Sequence, residues 1–275
     1  MEENITPAPE SKPNSVKREK DMRREIRRRT IKALAIWGVL AVGAPVALWE
    51  WIKKQPDDNS ISKPLRKVLD FNGRLFKNFV SDNHLVKTYS KDLAQKNPRL
   101  NGDLGLKSEM SVDDYKIQVI NFGNPPFEIS LEEIMNLPKH EITYSFKCIE
   151  GWDMITNWGG ALFSDFVARY KLATHSGNVF DKENSTDIAN YAGLETPDGK
   201  YYVGLDIESA LHSQTLLCYE MNGVPLLPQH GAPLRLITPT KYGIKNLKRI
   251  GKIVFTDERP PDYWFEQGYD YFSGL

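Results

Sequence analysis

The sequence predicts an α+β domain, made of mixed β-sheets with short helices, preceded by one transmembrane helix. Two observations carry this prediction. Residues 33–49 contain no charged side chain. Beyond residue 110, short apolar segments alternate with polar residues and end at glycine, proline or asparagine turns. Because helices and strands do not alternate regularly, a βαβ array is not expected.

The N-terminal part divides by composition into a tail, an anchor and a linker. Residues 1–30 are polar and basic, and we expect a mostly disordered cytoplasmic tail. Residues 31–52 form the transmembrane anchor, since at about 1.5 Å per residue they come close to the thickness of a bilayer. Arginines precede the anchor, which by the positive-inside rule places the rest of the chain outside the cytoplasm. Residues 53–64 are then a polar linker, and residues 65–275 form the outward-facing domain.

Two other interpretations of the apolar run are a buried helix of a soluble protein and a cleaved signal peptide. No clear A-x-A cleavage site follows the run, so an uncleaved anchor is favoured. The segment 27–32 (RRRTIK) also resembles the twin-arginine export signal, with Thr30 at the position where phenylalanine is usual. That export route carries proteins that have already folded around a cofactor.

Individual elements follow from apolar periodicity and from capping residues. A short helix is expected after Ser130, where glutamates occupy the first turn. A second helix is predicted at 161–170, and short helical stretches with turns at 65–110. Strands are predicted at 115–122, 141–148, 200–205, 216–221, 234–237 and 252–256.

Charge and cysteine content exclude several classes of function. Lysine plus arginine equal aspartate plus glutamate, at 36 each, so no nucleic-acid partner is indicated. Two cysteines, Cys148 and Cys218, cannot form a disulfide framework or an all-cysteine zinc site, although a single disulfide stays open. Cys218 lies in a leucine-rich predicted strand and is expected in the core.

Cys148 ends a predicted strand and precedes a glycine turn. A thiol in this position suits a nucleophile, a soft-metal ligand or a buried small side chain, and the residues alone leave these alternatives open. A nucleophile would need a nearby base. The candidate bases are His140, His175, His212 and His230.

The segment 227–248 (LPQHGAPLRLITPTKYGIKNLK) combines a stiff backbone with clustered cations. Prolines and glycines fix the chain and allow close backbone approach. This arrangement suits a bound anion such as a phosphate, or equally a solvated loop. The candidate anion-binding side chains are His230, Arg235, Lys241, Lys245 and Lys248.

Two separated motifs resemble the sulfite-oxidase family of molybdopterin oxidoreductases. Residues 147–160 (KCIEGWDMITNWGG) resemble the family's metal-binding segment, with Lys147 in place of the commoner arginine. Residues 228–250 are similar to its P-x-N/H-G-A-P-L/I-R and K-Y-G-x-K stretch, and 254–261 to its closing strand. Within the family, the resemblance favours the bacterial periplasmic reductases of protein methionine sulfoxide. The resemblance implies a sulfite-oxidase-like molybdopterin-binding fold for residues 65–275.

The same resemblance implies a molybdenum-molybdopterin cofactor and assigns its contacts. Cys148 is implied as the molybdenum ligand and catalytic residue. The other implied cofactor contacts are Asn83, His84, Thr196, His230, Arg235, Asn246, Leu247 and Lys248.

The implied reaction is oxygen-atom transfer, with reduction of sulfoxides such as protein methionine sulfoxide as the expected direction. No haem-binding C-x-x-C-H motif occurs, so electrons are expected from a haem-containing membrane subunit. The enzyme would be anchored in the inner membrane with a periplasmic domain. Three alternatives are a sulfite-oxidising enzyme of the same family, a metal-free binding domain on the same fold, and a thiol enzyme that uses Cys148 with a histidine.

Overall fold

The computed structural model describes residues 13–77, 84–107 and 114–275, and the chain divides into two units, 1–56 and 57–275. The first unit contains helix α1 (Pro13–Lys53). Within α1, residues 22–53 are long and apolar enough to cross a membrane, by length and composition. This helix agrees with the predicted apolar anchor.

Helix α1 begins earlier than the composition suggests. The chain is helical from Pro13, so the expectation of a mostly disordered tail is wrong for the residues between Pro13 and the apolar run. Proline is favoured in the first helical turn, where its missing N–H leaves no hydrogen bond unmade. The arginines, lysines and glutamates that follow are good helix formers. Arg29 pairs with Glu25 one turn earlier at 2.7 Å, which supports the helix further.

In its described residues, the second unit contains a small ribbon, two larger sheets and five α-helices. Its strands are β1 (Asp57–Asp58), β2 (Ile61–Ser62), β3 (Lys116–Asn121), β4 (Phe127–Ser130), β5 (Lys139–Lys147), β6 (Asp153–Leu162), β7 (Tyr191–Glu195), β8 (Tyr202–Asp206), β9 (Leu216–Met221), β10 (Val224–Pro225), β11 (Arg235–Ile237) and β12 (Lys252–Thr256). Its helices are α2 (Lys63–Lys77), α3 (Leu131–Met135), α4 (Phe163–Tyr170), α5 (Ile207–Ala210) and α6 (Tyr263–Glu266).

Each of the two larger sheets has five strands. In the first, the order is β10-β9-β6-β5, and β11 also pairs with β9. In the second, the order is β4-β3-β12-β7-β8, with β3 and β12 parallel and the other neighbours antiparallel. Buried side chains from both sheets form one large core cluster. A second cluster, around Tyr144, Phe146 and Trp158, covers another face of the first sheet. The α+β prediction is therefore confirmed.

The six predicted strands are present, with ends shifted by a few residues, but β4, β6 and β7 were missed. The ten residues of β6 include two adjacent glycines, which resemble a turn, whereas in the structure they pair with β9. A Cβ atom on Gly160 would lie 2.1 Å from the Leu217 carbonyl oxygen, so close strand pairing needs glycine there. The helix predicted at 161–170 begins only at Phe163, because Ala161 and Leu162 complete β6.

The folded unit begins at Asp57, before the predicted boundary at residue 65. The β1–β2 ribbon and α2 are tied to the C-terminal segment by Arg66, which is 2% exposed. Its guanidinium donates to the backbone oxygens of Asn59 at 2.8 Å and Tyr269 at 2.7 Å. Part of the predicted linker therefore belongs to the folded domain.

The capping box that the sequence predicts at α3 is present. The Ser130 hydroxyl accepts a hydrogen bond from the Glu133 amide at 3.3 Å, and the Glu133 carboxylate accepts one from the Ser130 amide at 2.9 Å. We expect Ser130→Ala to lower the free energy of unfolding by about 1 kcal/mol, because it removes the N-cap acceptor. Urea denaturation of the full chain measures this as a lower midpoint with an unchanged slope. Ser130→Asp retains an acceptor and serves as the control; equal losses in both variants would contradict the prediction.

Candidate functional site

A cavity of about 290 Å³ opens beyond the end of β5. Its walls come from the end of β5, the loop at 99–104, the segment 230–248 and the C-terminal segment. Both sequence motifs therefore meet at one cavity, as the resemblance implies. The predicted site residues that line it are Cys148, His230, Arg235, Asn246 and Lys248.

A tight turn after β5 fixes Cys148 at the cavity. The Cys148 amide donates to the Trp152 carbonyl at 2.9 Å, and the Gly151 amide donates to the Cys148 carbonyl at 3.1 Å. Gly151 has φ +87°, a conformation that favours glycine. The cysteine is 7% exposed, and its Sγ accepts a hydrogen bond from Asn101 Nδ2 at 3.7 Å. The thiol is thus held beside the cavity by backbone geometry.

Arg235 supplies a buried positive charge to the same cavity. Its Nη1 donates to the His230 carbonyl at 2.9 Å and its Nη2 to the Asn246 carbonyl at 3.3 Å. The guanidinium lies 4.6 Å from the centre of the Trp158 ring. Its Nε is buried without a hydrogen-bond partner. Burial lowers the pKa of Arg235, and among the described residues no carboxylate compensates its charge.

Lys248 and His230 complete the polar wall. The Lys248 ammonium donates to the carbonyls of Asn101 at 2.6 Å, Gly102 at 2.9 Å and Gln229 at 3.0 Å. Burial, with the charge of Arg235, lowers the pKa of Lys248 to about 8. Burial also lowers the pKa of His230, with added effects of Arg235 and Lys248, which favours its neutral form. The Lys248 ammonium and the His230 imidazole therefore share this wall of the cavity.

Close backbone approach at the cavity depends on Gly243. A Cβ atom there would lie 2.9 Å from the Phe146 ring, so either the turn at Gly243–Lys245 or the ring would have to shift. Asn246 follows this turn, and its carboxamide accepts from the Thr238 amide at 2.8 Å and donates to the Tyr242 carbonyl at 3.1 Å. The asparagine therefore fixes the turn through its own side chain.

Other predicted residues lie away from the cavity or outside the described residues. Asn83 lies outside the described residues, and His84 is exposed and is not part of the cavity wall. Leu247 is buried in the large core cluster. Thr196 is buried between β7 and β8, where its hydroxyl donates to Asp198 at 2.7 Å. The structure does not bring the side chains of His84, Thr196 and Leu247 to the cavity.

Two of the five candidate anion-binding cations face buried carboxylates instead. Lys241 pairs with Asp206 at 2.9 Å, and Lys245 pairs with Asp262 at 2.5 Å. Neither lysine lines the cavity. Of the four candidate bases, only His230 lines the cavity with Cys148, and in the described part of the chain no hydrogen bond joins their side chains.

The loop before β3 contributes residues that sequence reasoning missed. Arg99 and Asn101 line the cavity, and Arg99 lies 4.8 Å from the centre of the Trp152 ring. The Asn101-Gly102 pair predicts only a turn within the 65–110 region. Because Asn101 stands 47 residues before Cys148, no local spacing connects the two. The only signal was the polar Asn-Gly pair beside an arginine.

The donor set fits a molybdopterin cofactor better than a metal held by protein alone. No group of three or more metal-ligating side chains occurs among the described residues. A metal at Cys148 would therefore take its other ligands from a cofactor. Arg235 carries an unused buried Nε and an uncompensated charge, as an anionic group would require. Phe146, Trp152 and Trp158 supply apolar walls for a ring system.

Comparison with known proteins supports the family resemblance. Residues 104–264 match the model of the oxidoreductase molybdopterin binding domain. The protein-methionine-sulfoxide reductase catalytic subunit MsrP of Campylobacter jejuni is 34% identical over 166 residues, which cover 58% of this chain and 55% of that protein. The putative protein-methionine-sulfoxide reductase subunit YedZ1 of Azospira oryzae is 30% identical over 220 residues, or 79% of each chain.

Among solved structures, the sulfane dehydrogenase SoxCD from Paracoccus pantotrophus is similar to this chain with a TM-score of 0.45 and 18% identity. The match covers 55% of this chain and 40% of the SoxCD chain. The chain spans about half the length of the Campylobacter relative. The domain match covers more than half of the present chain and contains both motifs that carry the resemblance. The chain therefore belongs to the sulfite-oxidase-type family of oxidoreductases with a molybdopterin-binding domain.

Proposed function

We propose that this protein is a molybdenum-cofactor enzyme that removes an oxygen atom from sulfoxides, such as methionine sulfoxide in proteins. The observation that carries the proposal is the juxtaposition of the Cys148 thiol and the uncompensated Arg235 cation in one cavity. The direction of the reaction is supported by the two relatives that are named as methionine-sulfoxide reductase subunits. The bound cofactor would supply two-electron redox chemistry at molybdenum.

The residues of this chain bind and orient the reactants. Cys148 would ligate the metal through its thiolate, a soft donor that suits a metal with several oxidation states. Arg235 would bind an anionic group of the cofactor through its buried guanidinium, whose Nε has no partner within the protein. Lys248, whose three donors are used within the protein, holds one wall in place. Apolar side chains at the cavity, including Ile149 and Leu104, would admit the organic part of a sulfoxide and exclude water.

We further propose that α1 anchors the enzyme in the inner membrane with the 57–275 unit in the periplasm. The length and composition of residues 22–53 and the arginines before the apolar run support this placement. A twin-arginine route would allow the cofactor to be inserted before export. Because the sequence contains no C-x-x-C-H motif, a haem-containing membrane subunit is the proposed electron donor.

The first test is metal analysis and turnover of the full chain, purified in detergent from cells that make the cofactor. Because the cavity supplies one thiolate ligand, we expect nearly one molybdenum per chain. We also expect the protein to reduce methionine sulfoxide with electrons from a reduced viologen dye. Sulfite oxidation with ferricyanide is measured in parallel. Turnover of sulfite alone would reverse the proposed direction. Protein without molybdenum would contradict the proposal and favour a thiol enzyme or a binding domain.

A further inference from the structure

The loop before β3 places one carboxamide directly against the Cys148 thiol. Asn101 Nδ2 lies 3.7 Å from Cys148 Sγ, within the range of hydrogen bonds to sulfur. The residue also lines the cavity. Neither of the two motifs that carry the family resemblance contains Asn101, so its place beside the thiol is seen only in the folded structure.

The orientation of the Asn101 carboxamide is fixed by Glu150. Asn101 Nδ2 lies 3.4 Å from Glu150 Oε2, and the same oxygen accepts from Trp152 Nε1 at 2.9 Å. A carboxylate accepts hydrogen bonds and repels a carbonyl oxygen. The NH₂ end of the carboxamide is therefore the end that faces both Glu150 and the sulfur. One N–H can point to each acceptor.

The backbone of Asn101 is held as firmly as its side chain. Lys248 Nζ donates to the carbonyls of Asn101 and Gly102 at 2.6 and 2.9 Å, and to that of Gln229 at 3.0 Å. An ammonium has three protons, and three carbonyls accept them here. Through these hydrogen bonds Lys248 holds the loop of Asn101 against the segment that contains His230 and Arg235. A side chain ordered in this way loses little entropy when it donates to sulfur.

We propose that Asn101 is a positioning residue that donates a hydrogen bond to the sulfur of Cys148 and thereby tunes the redox centre. The inference rests on the proposed function, in which this sulfur ligates molybdenum. An N–H donor withdraws electron density from a ligating sulfur and favours the reduced, electron-rich state of the metal. Asn101 thus raises the midpoint potential of the bound metal and fixes the orientation of its ligand.

The test is a potentiometric titration of molybdenum, followed by electron paramagnetic resonance, on the cofactor-loaded full chain. Asn101→Leu approximates the size of asparagine, Asn101→Ala shortens the side chain, and both remove the N–H donor. We expect a lower Mo(V/IV) midpoint in each variant. Asn97→Leu is the matched control, since Asn97 is exposed in the same loop and does not line the cavity. Its midpoint should equal that of the wild type.

A merely structural role for Asn101 would lower the melting temperature or metal content without moving the midpoint of the metal that remains. Fully loaded variants with the wild-type midpoint would overturn the inference and leave the proposed function standing. Wild-type protein without molybdenum would overturn both. If Asn101→Leu does not fold, as judged by circular dichroism, Asn101→Ala, which adds no bulk to the cavity wall, decides by the same criterion.

Discussion

Replacement of Cys148 by serine is expected to leave the fold intact and to remove both molybdenum and turnover. The thiolate is a soft ligand, whereas a serine hydroxyl is a harder and far weaker donor near neutral pH. Loss of a supporting residue around a metal typically lowers affinity or activity by about 10- to 100-fold. Loss of the protein's own ligand should exceed that range. The measurements are molybdenum per chain and kcat with methionine sulfoxide.

The fold should tolerate this change because the turn around Cys148 is made by backbone hydrogen bonds to Trp152 and Gly151. The second cysteine offers a matched control. Cys218 is 0% exposed in the core cluster around Tyr144, where burial raises the pKa of its thiol to about 12. Cys218→Ala should cost about 1 kcal/mol of stability, as a small core truncation, and should keep the metal. Molybdenum and turnover retained in Cys148→Ser would exclude Cys148 as the ligand.

The strand that leads to Cys148 could be predicted from the alternation of apolar and polar residues along the chain. Ile142, Tyr144 and Phe146 alternate along β5, and all three are buried on one face. Alternation was readable because polar or small residues separate them. The partner strand β6 lacked that signal, since nearly all of its residues between Met154 and Ala161 are buried. A strand covered on both faces has no alternation to detect.

The two motifs that form the candidate site could be predicted from the sequence, but the side chains that pair with their cations could not. The segment 227–248 offers five candidate anion-binding side chains, yet Lys241 and Lys245 face Asp206 and Asp262. Those carboxylates stand 35 and 17 residues away in sequence. Sequence alone cannot tell which cation of a cluster is neutralised by a distant carboxylate. Asn101 could not be predicted as a site residue either, because only tertiary packing brings its loop to the Cys148 thiol.

Arg235→Met is expected to weaken cofactor binding strongly while changing the stability of the cofactor-free protein little. Hydrogen bonds to charged groups contribute about 1.5–3 kcal/mol, which corresponds to roughly 10- to 150-fold in affinity. In the cofactor-free chain, Arg235 is a buried cation whose charge no described carboxylate compensates. Removing that charge offsets the loss of the hydrogen bonds to the His230 and Asn246 carbonyls. The measurements are cofactor content, its release rate on dilution, and the melting temperatures of both forms.

The two melting temperatures separate a binding role from a structural one. A ligand that binds the folded state stabilises it in proportion to the logarithm of its affinity. The cofactor should therefore raise the melting temperature of Arg235→Met by less than it raises that of the wild type. Arg235→Lys keeps the charge without the planar fork and should lie between the two. Arg259→Met is the control, because Arg259 pairs with Asp70 at 3.1 Å and does not line the cavity. If the cofactor raises the melting temperature of Arg235→Met as much as that of the wild type, then residues other than Arg235 bind the anionic group of the cofactor. The uncompensated guanidinium would then need another explanation.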